Sequence, residues 1–294
     1  MYRHVTNSVI MVEATPSEIG HEFISCYILT SGSSGCIVET GPAASYEYID
    51  RALKEAALAE TVKLVIPTHI HLDHGGGVGH ILNRYPDMIG LAHPKAYKHL
   101  INPDKLWDAA LMYLGWLAEI YRKPEPVSEE QLRTTYDGME IVFGDIELVV
   151  IHTPGHASHH QSIYFRNEDA LFVGDSAGAL IQPLEMIVPT TLPPIRLELY
   201  LESINKMINY KPSRLYYTHY GFIDNATDVL KEYHRFVIDL WNIAKEYEPK
   251  SIEEYKSLIV KSIDDMDKLF DWIRGKPIYN SLMDFSLNGI MAYK

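Results

Sequence analysis

Cysteine is nearly absent from this chain, with 2 in 294 residues, Cys26 and Cys36. They flank Ser31-Gly32-Ser33-Ser34-Gly35, which reads as the turn of a β-hairpin. A hairpin centred on Ser33 sets Cys36 opposite Thr30 and not opposite Cys26. A disulfide is therefore not expected, and the two thiols read as small buried groups. Long apolar runs are missing as well. None approaches the roughly 20 residues that a membrane-crossing helix requires, so no membrane association is expected. Residues 1–15 lack a basic patch followed by an apolar stretch, so no signal peptide is expected and a cytoplasmic location follows as the expectation. Positive charge is in short supply: 26 Lys and Arg stand against 39 Asp and Glu, a formal net charge of −13. Phosphate backbones are bound chiefly through Lys and Arg, so no nucleic-acid partner is expected. No glycine-rich G-x-G-x-x-G turn follows a strand, which leaves a dinucleotide-binding domain without support.

What remains is an ordinary globular composition, 47% hydrophobic and 22% charged, long enough for one large domain with a modest appendage. Strands are expected at 8–12, 23–30 and 35–39, followed by helical spacing over 43–60. Residues 62–66 form a short β-branched run that stops at Pro67, as a buried strand does. A helix over 78–84 and a strand over 88–92 come next. Between 95 and 135 the pattern changes. Leu106, Trp107, Ala110, Leu111, Leu114 and Leu117 recur at helical spacing, so an amphipathic helix is inserted between two strand-rich stretches. Strands return at 140–143, 146–151, 161–165 and 170–173, then a helix at 195–210 and a strand at 214–217. From 224 onward nearly everything reads as helix, broken near Pro249 and at Gly275-Lys276-Pro277. Two strand-and-helix blocks with a helical tail point to an α/β sandwich.

Histidine is the unusual count, at 14. Thr68-His69-Ile70-His71-Leu72-Asp73-His74-Gly75-Gly76 packs three imidazoles and a carboxylate into six positions, and these are ligand types that zinc, iron and manganese use. His69 and His71 can point the same way along extended backbone. Asp73 and His74 come where the chain turns into a helix, so they can address a second point nearby. The glycines that follow let the loop lie close to the helix start. Thr153-Pro154-Gly155-His156, Gly174-Asp175 and Thr218-His219 each end an apolar strand, where an α/β scaffold can converge distant side chains. A solvated polar loop explains one or two such histidines but not the set.

The pattern T-H-x-H-x-D-H-G-G, then T-P-G-H, then F-x-G-D, then a late His resembles the metallo-β-lactamase superfamily, and most of all its glyoxalase II and acyl-homoserine lactonase branch. The resemblance covers about three quarters of the chain. It implies an αββα four-layer sandwich over 1–223, carrying a helical insertion at about 95–135, and a mainly helical extension over 224–294. It implies that His69, His71 and His156 hold one divalent metal, that Asp73, His74 and His219 hold a second, and that Asp175 bridges them. Zinc is the expected ion, with iron or manganese open. The implied function is a hydrolase using a metal-held hydroxide on an ester, thioester or lactone, a small-molecule substrate, with Asp73 also orienting the nucleophile or shuttling a proton. An iron-dependent persulfide dioxygenase is the rival reading, and a phosphodiesterase a more distant one. Basic glutathione-binding residues have no convincing match in 224–294.

Other residues have plainer readings. His152 and His93 read as structural neighbours, and His160 is open to hydrogen-bonding a metal ligand. His159 shows no chemical pattern. Tyr220 reads as packed, with polarisation of a substrate oxygen as the alternative. The insertion is rich in aromatics, including Tyr97, Trp107, Tyr113, Trp116 and Tyr121, so it serves either as a lid selecting an apolar acyl group or as ordinary packing. Trp107 and Trp116 lie nine apart, on opposite faces of one helix. At most one of them is expected to face the metals, with Trp107 in the apolar stripe. The substrate and the oligomeric state, homo-oligomer included, stay open.

Overall fold

The computed structural model describes residues 1–293. Its central strands, such as Ser25–Ser31 and Gln161–Phe165, are buried at successive positions rather than at alternate ones, which requires both faces of each sheet to be covered there. β1 (Tyr2–His4), β2 (Val9–Glu13), β3 (Ser25–Ser31), β4 (Ser34–Val38), β5 (Val62–Ile66), β6 (Ile89–Ala92) and β7 (Leu132–Thr134) form one sheet in chain order. The second sheet draws on β8 (Met139–Phe143), β9 (Ile146–His152), β10 (Gln161–Phe165), β11 (Ala170–Phe172), β14 (Arg214–Tyr217) and β15 (Gly221–Asp224), in the order β15-β14-β11-β10-β9-β8. β12 (Ala179–Ile181) and β13 (Met186–Val188) pair as a separate hairpin.

The period of two along each strand sorts side chains between layers. Val9 and Met11 of β2 face the space between the sheets, with Leu148, Val150 and Phe172. Their neighbours Ile10 and Val12 face outward, against Ile49 and Leu53 of α1 (Tyr46–Glu55) and, past the helical turn α2 (Leu72–Gly75), against Ile81 and Leu82 of α3 (Val78–Arg84). The expected αββα order is thus present on this side. On the far side, Val149 and Ile151 meet Tyr200 and Ile204 of the later helix spanning Leu197–Asn209. Each such apolar side chain removed from water stabilises the layers by about 1.5–3 kcal/mol. The Tyr27 hydroxyl is shared between the carbonyls of Tyr217 at 2.6 Å and Gly221 at 2.7 Å, which ties the two sheets together.

Several local expectations shift. Leu29 faces Cys36 across the β3–β4 hairpin, because the turn is the two-residue Gly32-Ser33 rather than one centred on Ser33. Both cysteines are buried and free. The helix expected over 43–60 is a short 3₁₀ turn followed by α1, which ends at Glu55 before Ala57 takes a left-handed φ of 55°. The single amphipathic helix of the insertion is three: α4 (Tyr97–Ile101), α5 (Asp104–Leu114) and α6 (Trp116–Tyr121). Gly115, at φ 55°, breaks the last two apart, so Trp107 and Trp116 do not share a helix. The last residues of the 95–135 stretch are not insertion at all, since β7 is the edge strand of the first sheet.

α7 is the helix Leu197–Asn209, and beyond β15 the chain continues as α8 (Ala226–Tyr247), α9 (Ile252–Ser262), α10 (Met266–Ile273) and α11 (Pro277–Ala292). The breaks at Pro249 and at 275–277 fall where the sequence places them. This helical tail builds its own core, in which Leu240, Tyr255, Leu269 and Leu287 meet the β12–β13 hairpin. No helix among the described residues is long and apolar enough to cross a membrane.

Candidate metal centre

β9 and β11 both run antiparallel to β10, and β14 runs parallel to β11. These three strands therefore share a direction and release their following loops at one edge of the second sheet, which is how His156, Asp175 and His219 come together from distant parts of the chain. The loop after β5 joins them from the first sheet. Cross-sheet backbone bonds hold that edge: Gln161 N–H donates to Thr68 O at 2.9 Å and Ser25 N–H to Thr218 O at 2.7 Å. His69 lies in the extended loop, His71 precedes α2, and Asp73 and His74 sit within it. Gly75 makes this compact turn possible, since a Cβ there would stand 2.7 Å from the His69 carbonyl oxygen.

The seven residues singled out from the sequence fall into two adjoining clusters. In the first, His71 Nδ1 is 2.9 Å from His69 Nε2 and 3.0 Å from His156 Nε2, and the latter is 3.2 Å from Asp175 Oδ2. In the second, Asp73 Oδ2 is 3.9 Å from His74 Nε2 and 3.5 Å from His219 Nε2. The other oxygen of Asp175, Oδ1, lies 3.4 Å from His74 Nε2 and 3.7 Å from His219 Nε2. One carboxylate thus offers an oxygen to each cluster.

The outer nitrogens of the rings are committed elsewhere. His156 Nδ1–H donates to Thr190 O at 2.6 Å and His219 Nδ1–H to Phe23 O at 3.2 Å. His74 Nδ1 faces Glu39 Oε2 at 3.4 Å. For His156 and His219 the carbonyl partner fixes the tautomer that leaves an Nε2 lone pair pointing inward. Burial, and then the neighbouring imidazoles, push His69 and His71 well below the usual imidazole range. Burial also pulls at His74, but Asp175, Asp73 and Glu39 outweigh it and hold that ring at about 10. Asp175 is buried yet kept ionised below the usual range by His74, His156 and His219. Converging lone pairs around buried carboxylates are unfavourable unless a positive charge lies between them. His74 Nε2 and Asp175 Oδ1 are buried with no hydrogen-bond partner. The donor set therefore fits a pair of divalent cations.

Some contributors had no sequence signature. Glu39 follows β4 with a left-handed φ of 69°, its side chain buried, and its Oε1 accepts the Thr68 N–H at 3.0 Å. A lone Glu after a strand gives no hint of this. His160 does hydrogen-bond at the site: its Nε2 accepts the Asp175 backbone N–H at 3.1 Å while its Nδ1 meets Thr153 and Ser176 hydroxyls. His159, unassigned from the sequence, stacks 6.0 Å from His69 and lines the cavity over the clusters. His93 and His152 stand ring to ring at 4.2 Å, outside both clusters.

That cavity holds about 920 Å³. Its roof comes from the insertion through Leu106, Ala110, Tyr113, Leu114, Leu117 and Tyr121, and its far wall from α11 through Leu282 and Phe285. Neither tryptophan chosen from the sequence lines it. Trp107 packs on the outer core, and Trp116 is 59% exposed beside a separate pocket that also receives Tyr220.

A family model described as the metallo-beta-lactamase superfamily matches residues 19–219, the span that contains all seven residues. The chain belongs to the metallo-β-lactamase superfamily. Within this superfamily it is 27% identical over 243 residues to a metallo-beta-lactamase fold-containing protein of Sulfurisphaera tokodaii, covering 79% of this chain and 88% of that one. It is 35% identical over 105 residues to the N-acyl homoserine lactonase AttM of Rhizobium radiobacter, covering 36% of each chain. Among solved structures, an archaeal metallo-beta-lactamase superfamily protein from Sulfolobus tokodaii superposes with a TM-score of 0.73 at 23% identity, covering 98% of this chain and 100% of that one. A metallo-beta-lactamase family protein from Thermus thermophilus superposes at 0.67 with 18% identity, covering 93% and 95%.

Proposed function

We propose that this chain hydrolyses an ester, thioester or lactone with an apolar acyl part, using two divalent ions, zinc in the first instance. His69, His71 and His156 would hold one ion and Asp73, His74 and His219 the other, with Asp175 between them. The observation that carries the reading is that both clusters open onto the floor of a cavity whose roof and far wall are apolar helices. The partial likeness to a protein named as a lactonase supports an acyl substrate. When bound, such ions supply Lewis acidity and bring the pKa of a coordinated water to about 7.

The chain's own groups divide the remaining work. Asp73 is the more open of the two cluster carboxylates, with 21% of its side chain exposed against 5% for Asp175. It is placed to take a proton from the nucleophile and return it to the leaving group. Tyr121 lines the cavity, whereas Tyr220 does not. Burial, then the charges of Asp73 and Asp175, raise the Tyr121 phenol well above its usual value, so it stays protonated and can donate a hydrogen bond to a substrate oxygen. The apolar roof excludes bulk water, which strengthens these interactions.

The test is metal analysis of protein prepared without added metal, followed by turnover of thioesters, lactones and phosphodiesters. Two ions per chain and cleavage of acyl substrates are expected. One iron with oxygen consumption on a persulfide would replace this reading with the dioxygenase, and preferred cleavage of phosphodiesters would replace it with the phosphodiesterase.

A further inference from the structure

Acidic residues dominate the chain, 39 against 26 basic, yet the cavity reverses that balance. Among the described residues its only lining carboxylates are Asp73 and Asp175, both in the candidate metal clusters. The other charged side chains that line it are Lys95, Lys105 and Arg196, joined by His99. The first three are exposed and so stand at its solvent end. Lys95 precedes α4, Lys105 lies in the first turn of α5, and Arg196 precedes α7, tied beside the His156 loop by its backbone N–H to Gly155 O at 3.2 Å. Three separate segments thus bring cations to one opening.

Some basic side chains elsewhere find carboxylates. Lys54, Lys206 and Arg214 each do, and Asp104, the chain neighbour of Lys105, is 2.7 Å from Lys123 Nζ instead. Among the described residues Lys95, Lys105 and Arg196 have no ion pair. Cations that border a cleft focus a positive potential into it. Much of the remaining lining is apolar, and the rings of Tyr113 on α5 and Phe285 on α11 stand 5.7 Å apart.

We propose that the substrate is an anionic amphiphile: an acyl compound whose apolar chain lies along α5 and α11 and whose leaving group carries an oxyanion held by Lys95, Lys105 and Arg196. The identity of the reaction rests on the acyl-hydrolase reading above. For a thioester, water adds across the carbon–sulfur bond, the acyl carbon takes the hydroxyl, and the thiol departs with the remaining proton. Carboxylate, sulfonate and phosphate share the chemistry these three cations recognise, with Arg196 able to bind an oxyanion through two donors at once.

The experiment compares decanoyl thioesters of mercaptopropionate and mercaptoethanesulfonate, both anionic, with that of neutral mercaptoethanol. The anionic esters are expected to show kcat/KM at least about tenfold higher at low ionic strength, an advantage that shrinks as salt screens the cleft. Each of Lys95→Gln, Lys105→Gln and Arg196→Gln should raise KM for the anionic esters about two- to fivefold, and the triple variant should bring the anionic-to-neutral ratio close to one. Lys98→Gln, an exposed lysine of α4 outside the cavity lining, should keep the preference. The ratio between the two anionic esters separates a carboxylate source from a sulfonate one. A ratio near one in the unaltered protein, or a ratio unmoved in the triple variant, overturns the proposal. Calorimetry on metal-free protein decides the matter even if no thioester is cleaved, an outcome that would remove the hydrolase reading alone. Dodecyl phosphate binding more tightly than dodecanol, with the difference lost in the triple variant, supports the anionic amphiphile. Equal binding of the two overturns it.

Discussion

On the floor of the cavity His69, His74, His156 and His219 are buried, and each has its outer nitrogen set against a neighbour: Thr68, Glu39, Thr190 or Phe23. On its roof no residue of α5 is buried, and Tyr113 is 49% exposed. The floor is made of loops braced by two sheets, and the roof of short helices hinged at Gly115. Metal ligands must be held to within about 0.5 Å, and only packed surroundings achieve that. A surface that sorts substrates by apolar contact tolerates looser construction and gains from adaptability. Under the proposed function, chemistry belongs to the floor and selectivity to the roof.

The largest effect is expected on the floor. His69→Ala should lower turnover at least about 100-fold, because removing a ligand exceeds the loss seen on removing its outer partner, while circular dichroism stays unchanged. Activity close to that of the unaltered protein would take His69 out of the centre. Next comes Glu39→Gln, which keeps the shape but removes the charge facing His74. A loss of about 10- to 100-fold in metal affinity is expected, read by competition with a chelator. Unchanged affinity would reduce Glu39 to a structural contact with Thr68.

Roof substitutions should act differently in kind. Tyr113→Ala and Leu117→Ala should alter the ratio of kcat/KM for long over short acyl chains by about 3- to 10-fold, within the range one lost apolar contact provides, with metal content unchanged. Loss of metal in either variant would erase the division between floor and roof. Identical chain-length preference would leave the insertion as packing alone.

The smallest effect lies outside the site. Burial, then His152 and Lys95, lower His93 to about 4, whereas an unfolded histidine titrates near about 6.5. Between those values the unfolded chain binds more protons, so stability rises with pH and is lost as pH falls from about 6.5 toward 4. His93 lies close under the surface, so solvent screening reduces the effect to about 1 kcal/mol. Urea denaturation at pH 7 and pH 5 should show a smaller acid loss in His93→Gln than in the unaltered chain. Equal losses would show that His93 titrates normally.

The floor was largely legible in the sequence and the roof was not. His69, His71, Asp73 and His74 crowd into one loop after a strand, and a solvated polar loop accounts for one or two such histidines but not for the set. His156, Asp175 and His219 follow apolar strands whose ends a sheet places together. Glu39 carries no such mark, because what matters is a left-handed backbone angle that turns it inward. In the roof, helical periodicity runs through Gly115 as though the helix were continuous, and size alone favours Trp107 and Trp116 as anchors, whereas Tyr113 and Tyr121 line the cavity. The pairings β1, β12–β13 and β15 have no counterpart among the expected strands, although the equally short β6, β11 and β14 do.

The account depends most on Asp175, whose two oxygens face different clusters. Metal content per chain, measured by mass spectrometry on the unaltered protein and on Asp175→Ala, tests it directly. The account predicts about two ions per chain in the first and fewer than one in the second, since losing the shared carboxylate weakens both positions. Equal metal content in the two proteins would contradict it.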